Sequence, residues 1–223
     1  MGQLTEDGAI FLSASVPDPS AKHFVEEGDL PAISAAVSGL LYVALGRRRL
    51  VWGGHPAITP MVWAFAEAME VDYGGWVKLY QSQFFEDEFP DENQHFKNVV
   101  FTESVDNDLD ASLSIMRNKM IDETDFAAAV FIGGMQGIVH EFELFQKKAP
   151  LATILPVIST GGATSVIGQN IDADPALATN LDYIDLFHHQ LNIDPNETRY
   201  VRPSEQPSEL SQRIHSSNDK TAN

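Results

Sequence analysis

The chain has 223 residues, no cysteine, 43% hydrophobic residues, and 14 basic against 32 acidic side chains, a formal charge of −18. That size fits one globular domain. The charge disfavours nucleic acid and anionic lipid as partners, and the lack of cysteine excludes disulfides, thiolate zinc sites and a cysteine nucleophile. No apolar run approaches the ~18 residues of a membrane helix. The acidic start, MGQLTEDG, has no signal core, so a cytoplasmic location and no membrane partner are expected.

In chain order, residues 9–16 (AIFLSASV) read as a first strand, stopped by Pro17 and Pro19. Ser13 and Ser15 fall at its carboxyl end, the edge where open parallel sheets bind ligands. Asp29 ahead of Leu30 and Pro31 marks a helix start, and 32–45 supply its apolar body. Arg47, Arg48 and Arg49 read as a solvated helix end that suits the dipole. Residues 50–52 form a short strand running into Gly53, Gly54 and His55, with Thr59 ahead of a helix over 61–70. His55 is a candidate ligand contact, and the Thr59 hydroxyl suits either a phosphate or a helix cap. Residues 76–85 read as a third strand, 86–94 as an acidic, solvated loop rather than a lid, and 98–102 as a fourth strand.

The centre of the chain is 110–145. Leu113, Met116 and Met120 repeat at helical spacing, residues 127–132 are an unbroken apolar run of the kind buried on both faces of a sheet, and Gly133-Gly134-Met135-Gln136-Gly137 opens a helix over 138–148. Strand, glycine turn and helix start form an anion cradle, because glycines admit close approach and the first-turn N–H groups point at the ligand. Arg117 before the turn and Glu141 after it add a cation and a carboxylate. Residues 151–159 form a sixth strand, with Pro156 arguing for an edge or a bulge. Thr160 and Gly161 open a third small-residue turn that is expected to close the wall of the site. A last helix over 180–191 is expected to be held by Leu181, Ile184, Phe187 and Leu191, and the polar composition from Pro203 onward reads as a disordered tail, leaving 1–201 as the domain. Alternating strands and helices predict an α/β, Rossmann-like three-layer sandwich with a mostly parallel sheet.

Met116-Arg117 and then Gly133-Gly134…Gly137…Glu141 resemble the MxxRK…PGGxGTxxE signature of the lonely-guy (LOG) phosphoribohydrolases, and more broadly the SLOG superfamily of Rossmann-like domains that bind or cleave nucleotides. Gly53-Gly54-His55 resembles the same family's first glycine motif, with His55 in place of a glycine. Ile132 stands where the motif has Pro, Met135-Gln136 is one residue longer, Ile138 replaces the Thr and Asn118 the Lys. The resemblance implies a catalytic pair, Arg117 and Glu141, and ligand contacts from Ser13, Ser15, Gly53, Gly54, His55, Thr59, Gly133, Gly134, Met135, Gln136, Gly137, Thr160 and Gly161. It also implies a homodimer.

His140-Glu141 begins like a zincin motif, but Leu144 stands at its last position. There is no nucleophile elbow and no P-loop. Asp185, His188 and His189 share a helix face and read as ordinary polar residues, so neither metal nor cofactor is expected. Two functions remain. One is binding of a nucleotide or nucleotide-derived signal such as an ADP-ribose derivative, the sensing role of some SLOG domains in bacterial defence. The alternative is LOG-like cleavage of a nucleotide's N-glycosidic bond, with Glu141 stabilising the oxocarbenium-like state and Arg117 on the phosphate or the leaving base. The missing Thr and Lys favour binding.

Overall fold

The structure is a computed structural model that describes residues 8–21, 23–24 and 28–214. Its centre is a six-stranded sheet of order β4-β3-β2-β1-β5-β6, parallel throughout. The strands are β1 (Ala9–Ser15), β2 (Leu50–Trp52), β3 (Val77–Ser82), β4 (Val99–Thr102), β5 (Phe126–Gly133) and β6 (Thr153–Val157). β6 is an edge, where Pro156 costs no second ladder bond.

Alternation along the strands builds two cores. Ile10, Leu12 and Ala14 of β1 face one cluster with Ile33, Leu40 and Val62, which come from helices α1 (Leu30–Ala44) and α2 (Thr59–Ala68). Phe11 faces the other, with Met120, Phe142 and Ile167, from α3 (Leu109–Asp122), α4 (Gln136–Lys148) and α5 (Ala163–Gly168). Apolar side chains on both faces make the sheet the middle of three layers. Helix α6 (Tyr183–Gln190) packs its Leu186 and Phe187 into the first core. No helix among the described residues is long and apolar enough to cross a membrane.

Four local expectations change. The third strand begins at Val77, because Tyr73–Trp76 is a helical turn whose Trp76 indole donates to the carbonyls of Tyr200 and Val201. Helix α6 starts at Tyr183 because Asp182 caps it, accepting from the Asp185 N–H at 3.1 Å. That phase turns Tyr183, Leu186 and Phe187 inward and leaves Leu181 and Ile184 exposed.

Of the arginine run only Arg49 is solvated. Arg47 and Arg48 are buried, because the segment after α6 crosses back over them. Glu197 takes both amino groups of Arg48 at 2.6 and 3.1 Å, and its carbonyl accepts from Arg47 Nε at 2.7 Å. Arg199 adds bonds to the carbonyls of Leu45 and Tyr42, and burial pushes its guanidinium down to about 10. Finally, the polar stretch from Pro203 carries two 3₁₀ turns, with Arg213 buried and its carbonyl accepting from the Thr198 N–H at 2.7 Å. Its polar side chains find backbone carbonyls, so composition alone misjudges it. Residues 215–223 of the expected tail lie outside the described residues.

Candidate functional site

A parallel sheet puts every strand's carboxyl end on one side. The turns after β2, β5 and β6, at Gly53-Gly54, Gly133–Gly137 and Gly161-Gly162, therefore share that edge. From β1 the chain steps outward to β2, β3 and β4, then returns to the other side for β5. β1 and β5 thus flank the topological switch point, where open α/β sheets leave a crevice. A cavity of about 420 Å³ lies there.

At the centre of its wall are three side chains. The Ser13 hydroxyl donates to Glu141 Oε2 at 2.6 Å, and Arg117 Nε donates to Glu141 Oε1 at 3.2 Å. Each partner arrives for a local reason. Ser13 follows Phe11 on the α3/α4 face of β1, by strand alternation. Glu141 sits one turn into α4, and Arg117 about two turns into α3, which packs beside α4. The side chains of Arg117 and Glu141 keep 13% and 15% of their surface exposed. A Cβ on Gly137 would come within 3.0 Å of Arg117 Nη2, so the guanidinium lies across the first turn of α4. Met135 is the N-cap of that helix and offers no side-chain cap, and Met135, Gly137 and Ile138 line the cavity. Uncapped N–H groups beside a guanidinium form an electropositive corner.

The glycine turns divide the labour. Gly134 has φ +78°, and a Cβ there would stand 2.1 Å from Ile138 Cδ1 and 2.8 Å from Ser15 Oγ. Behind it the third turn acts as a buttress. Thr160 Oγ1 accepts from the Gly133 N–H at 2.9 Å, and the Gly134 carbonyl accepts from the Ala163 N–H at 3.0 Å.

Of the positions the sequence singles out, Ser13, Ser15, Gly53, Gly54, His55, Met135, Gly137, Arg117 and Glu141 line the cavity. Gly133, Gly134, Thr160 and Gly161 stand behind the wall and shape it, and Gln136 is exposed. Thr59 neither caps α2 nor faces the cavity, since its hydroxyl donates to the His55 carbonyl at 2.9 Å. His55 Nδ1 accepts from the Ala57 N–H at 3.2 Å, which puts the neutral ring's proton on Nε2. Burial lowers its pKa and keeps the ring neutral.

The far wall was not foreseen. Gln81 and Ser82 end β3, Phe85 and Glu88 follow on a 3₁₀ turn, and Phe89 and Pro90 link it to a second one, all six lining the cavity. The acidic stretch is thus wall as well as surface. Its signal was the pair of phenylalanines and the Phe89-Pro90 step within the charged run. Among the described residues no three His, Asp or Glu side chains gather to hold a metal ion, and His188 Nδ1 lies 2.7 Å from the Ile193 carbonyl.

A family model described as the SLOG cluster3 family matches residues 23–191. The chain belongs to this SLOG family. The SLOG match covers α1 to α6, with Arg117, Glu141 and all three glycine turns inside it. It leaves β1, and so Ser13 and Ser15, before its start. No curated protein and no solved structure matches the chain.

Proposed function

We propose that this SLOG protein binds a nucleotide or nucleotide-derived signal in the cavity at the β1/β5 switch point and serves as a sensor of it. The observation that carries the reading is the joining, in one cavity, of the uncapped start of α4 with the Ser13–Glu141–Arg117 constellation. The helix start and the free guanidinium edge suit a phosphate. Glu141 and the two β1 serines suit ribose hydroxyls, which donate and accept together.

Binding without turnover is favoured by Ile138. At the position where the LOG signature carries a hydroxyl, this side chain is 4% exposed and packs against Gly134. One observation supports hydrolysis as the second reading: Glu141 is held by two hydrogen bonds, the preorganisation that stabilising an oxocarbenium-like state requires.

Incubation of the protein with AMP and with ADP-ribose, followed by calorimetry and chromatography, tests both. The expected result is saturable binding of at least one ligand and no free base. Base released by the wild type but not by Glu141→Gln would replace the sensor with a phosphoribohydrolase. No binding of either would remove the nucleotide reading.

A further inference from the structure

The cavity reaches beyond the constellation to the end of β3, and there it holds an oriented side-chain amide. Gln81 is 7% exposed, and its Nε2 donates to the Gly53 carbonyl at 3.3 Å. The opposite amide orientation would bring Oε1 against that carbonyl, acceptor to acceptor, so the donor side of the amide is fixed. Gly54 makes room for it, since a Cβ at that residue would stand 2.0 Å from Gln81 Nε2. Oε1 accepts no hydrogen bond from any described residue. The same cavity wall is largely apolar, with Phe85, Phe89, Pro90 and Met116 in its lining. Two further acceptors belong to this wall, the Ser82 hydroxyl, which takes the Phe84 N–H at 3.3 Å, and the exposed Glu88 carboxylate.

An apolar wall that carries acceptors selects rings by what they donate. We infer that Gln81 is a specificity-determining residue whose amide oxygen accepts from an exocyclic amino group of the ligand's ring. This rests on the nucleotide reading of the cavity and deepens it. From Gly133 on β5 to Gln81 on β3 is three strand spacings, roughly 14 Å, so one extended ligand reaches from the start of α4 to Gln81. A ring that fills this end of the cavity shuts water away from Oε1. An amino group then satisfies the oxygen, whereas an oxo group faces it acceptor to acceptor and leaves it unpaired.

Calorimetry with two matched pairs, AMP against IMP and CMP against UMP, reads this directly on the wild type. Within each pair the amino form is expected to bind about 10- to 100-fold more tightly, the ratio for one buried acceptor left unpaired. In Gln81→Met, which keeps length and drops the acceptor, that ratio is expected to fall to near one. Equal affinities within both pairs, or a preference for the oxo forms, would overturn the inference. So would an undiminished ratio in a Gln81→Met protein that still unfolds cooperatively. Ribose 5-phosphate on the wild type separates the two levels. If it and all four nucleotides fail to bind, the nucleotide reading falls and takes this one with it. If they bind without discrimination, only the role of Gln81 falls. The wild-type pairs decide the point even where the variant does not fold.

Discussion

Two arginine–glutamate pairs sit at opposite ends of the same sheet and do opposite things. Arg48–Glu197 lies at the amino edge, just before β2. It is bidentate and closed off, with side chains 8% and 0% exposed, and backbone carbonyls take up more of the arginine donors around it. Arg117–Glu141 lies at the carboxyl edge in the wall of a cavity and is joined through a single 3.2 Å bond. One pair holds the C-terminal segment down. The other keeps a guanidinium edge and a carboxylate facing open space. Chemistry of the residues is the same, and burial decides the role.

The largest effect should come from breaking the closed pair. Glu197→Gln leaves Arg48 charged and buried, which costs about 3–5 kcal/mol. Urea denaturation should show the midpoint fall accordingly, and a loss under 1 kcal/mol would mean that the pair is less buried than its geometry implies.

Breaking the open pair should act on the ligand instead. Glu141→Gln is expected to cost stability only about 1 kcal/mol, because cavity water replaces the lost partner. It should weaken nucleotide binding by about 1–3 kcal/mol if the carboxylate accepts from ribose hydroxyls. Stability lost in full with affinity untouched would make this pair a brace like the other.

The smallest effect belongs to His55, which sits on the open edge without a charged partner. Burial depresses its folded pKa below the ordinary value of 6.5. The unfolded chain therefore takes up the proton first on acidification, and stability declines as pH falls from 6.5 towards the folded pKa. His55→Asn should flatten that part of the thermal-unfolding profile, and an unchanged slope would assign it to other groups.

The sequence made the open edge more legible than the closed one. Strand, glycine turn and helix start are local patterns, so Arg117 and Glu141 could be placed beside the Gly133–Gly137 turn from spacing alone. The burial of Arg48 was hidden because its partner lies 149 residues away, and three adjacent arginines look solvated without it. Gln81 was hidden for a different reason. It is one polar residue at a strand end, and its orientation depends on the Gly53 carbonyl from the neighbouring strand. The phase of α6 was lost to one cap, Asp182, which set the start of the helix and so its buried face.

The place of β1 in the sheet has a kinetic consequence. The first strand of the chain is central, and it borders β5 through the pairs from Ile10↔Ala128 to Ser15↔Gly133. Ser13 meets Glu141 across 128 residues of chain. Closing so long a loop is entropically costly and makes such a topology slow to fold. A chain emerging from the ribosome can complete β2, β3 and β4 beside β1 while one wall of the crevice does not yet exist. The cavity closes only when β5 docks, so a ligand captured there would report that β1 to β5 have come together, and its arrival can pull only a late step of assembly.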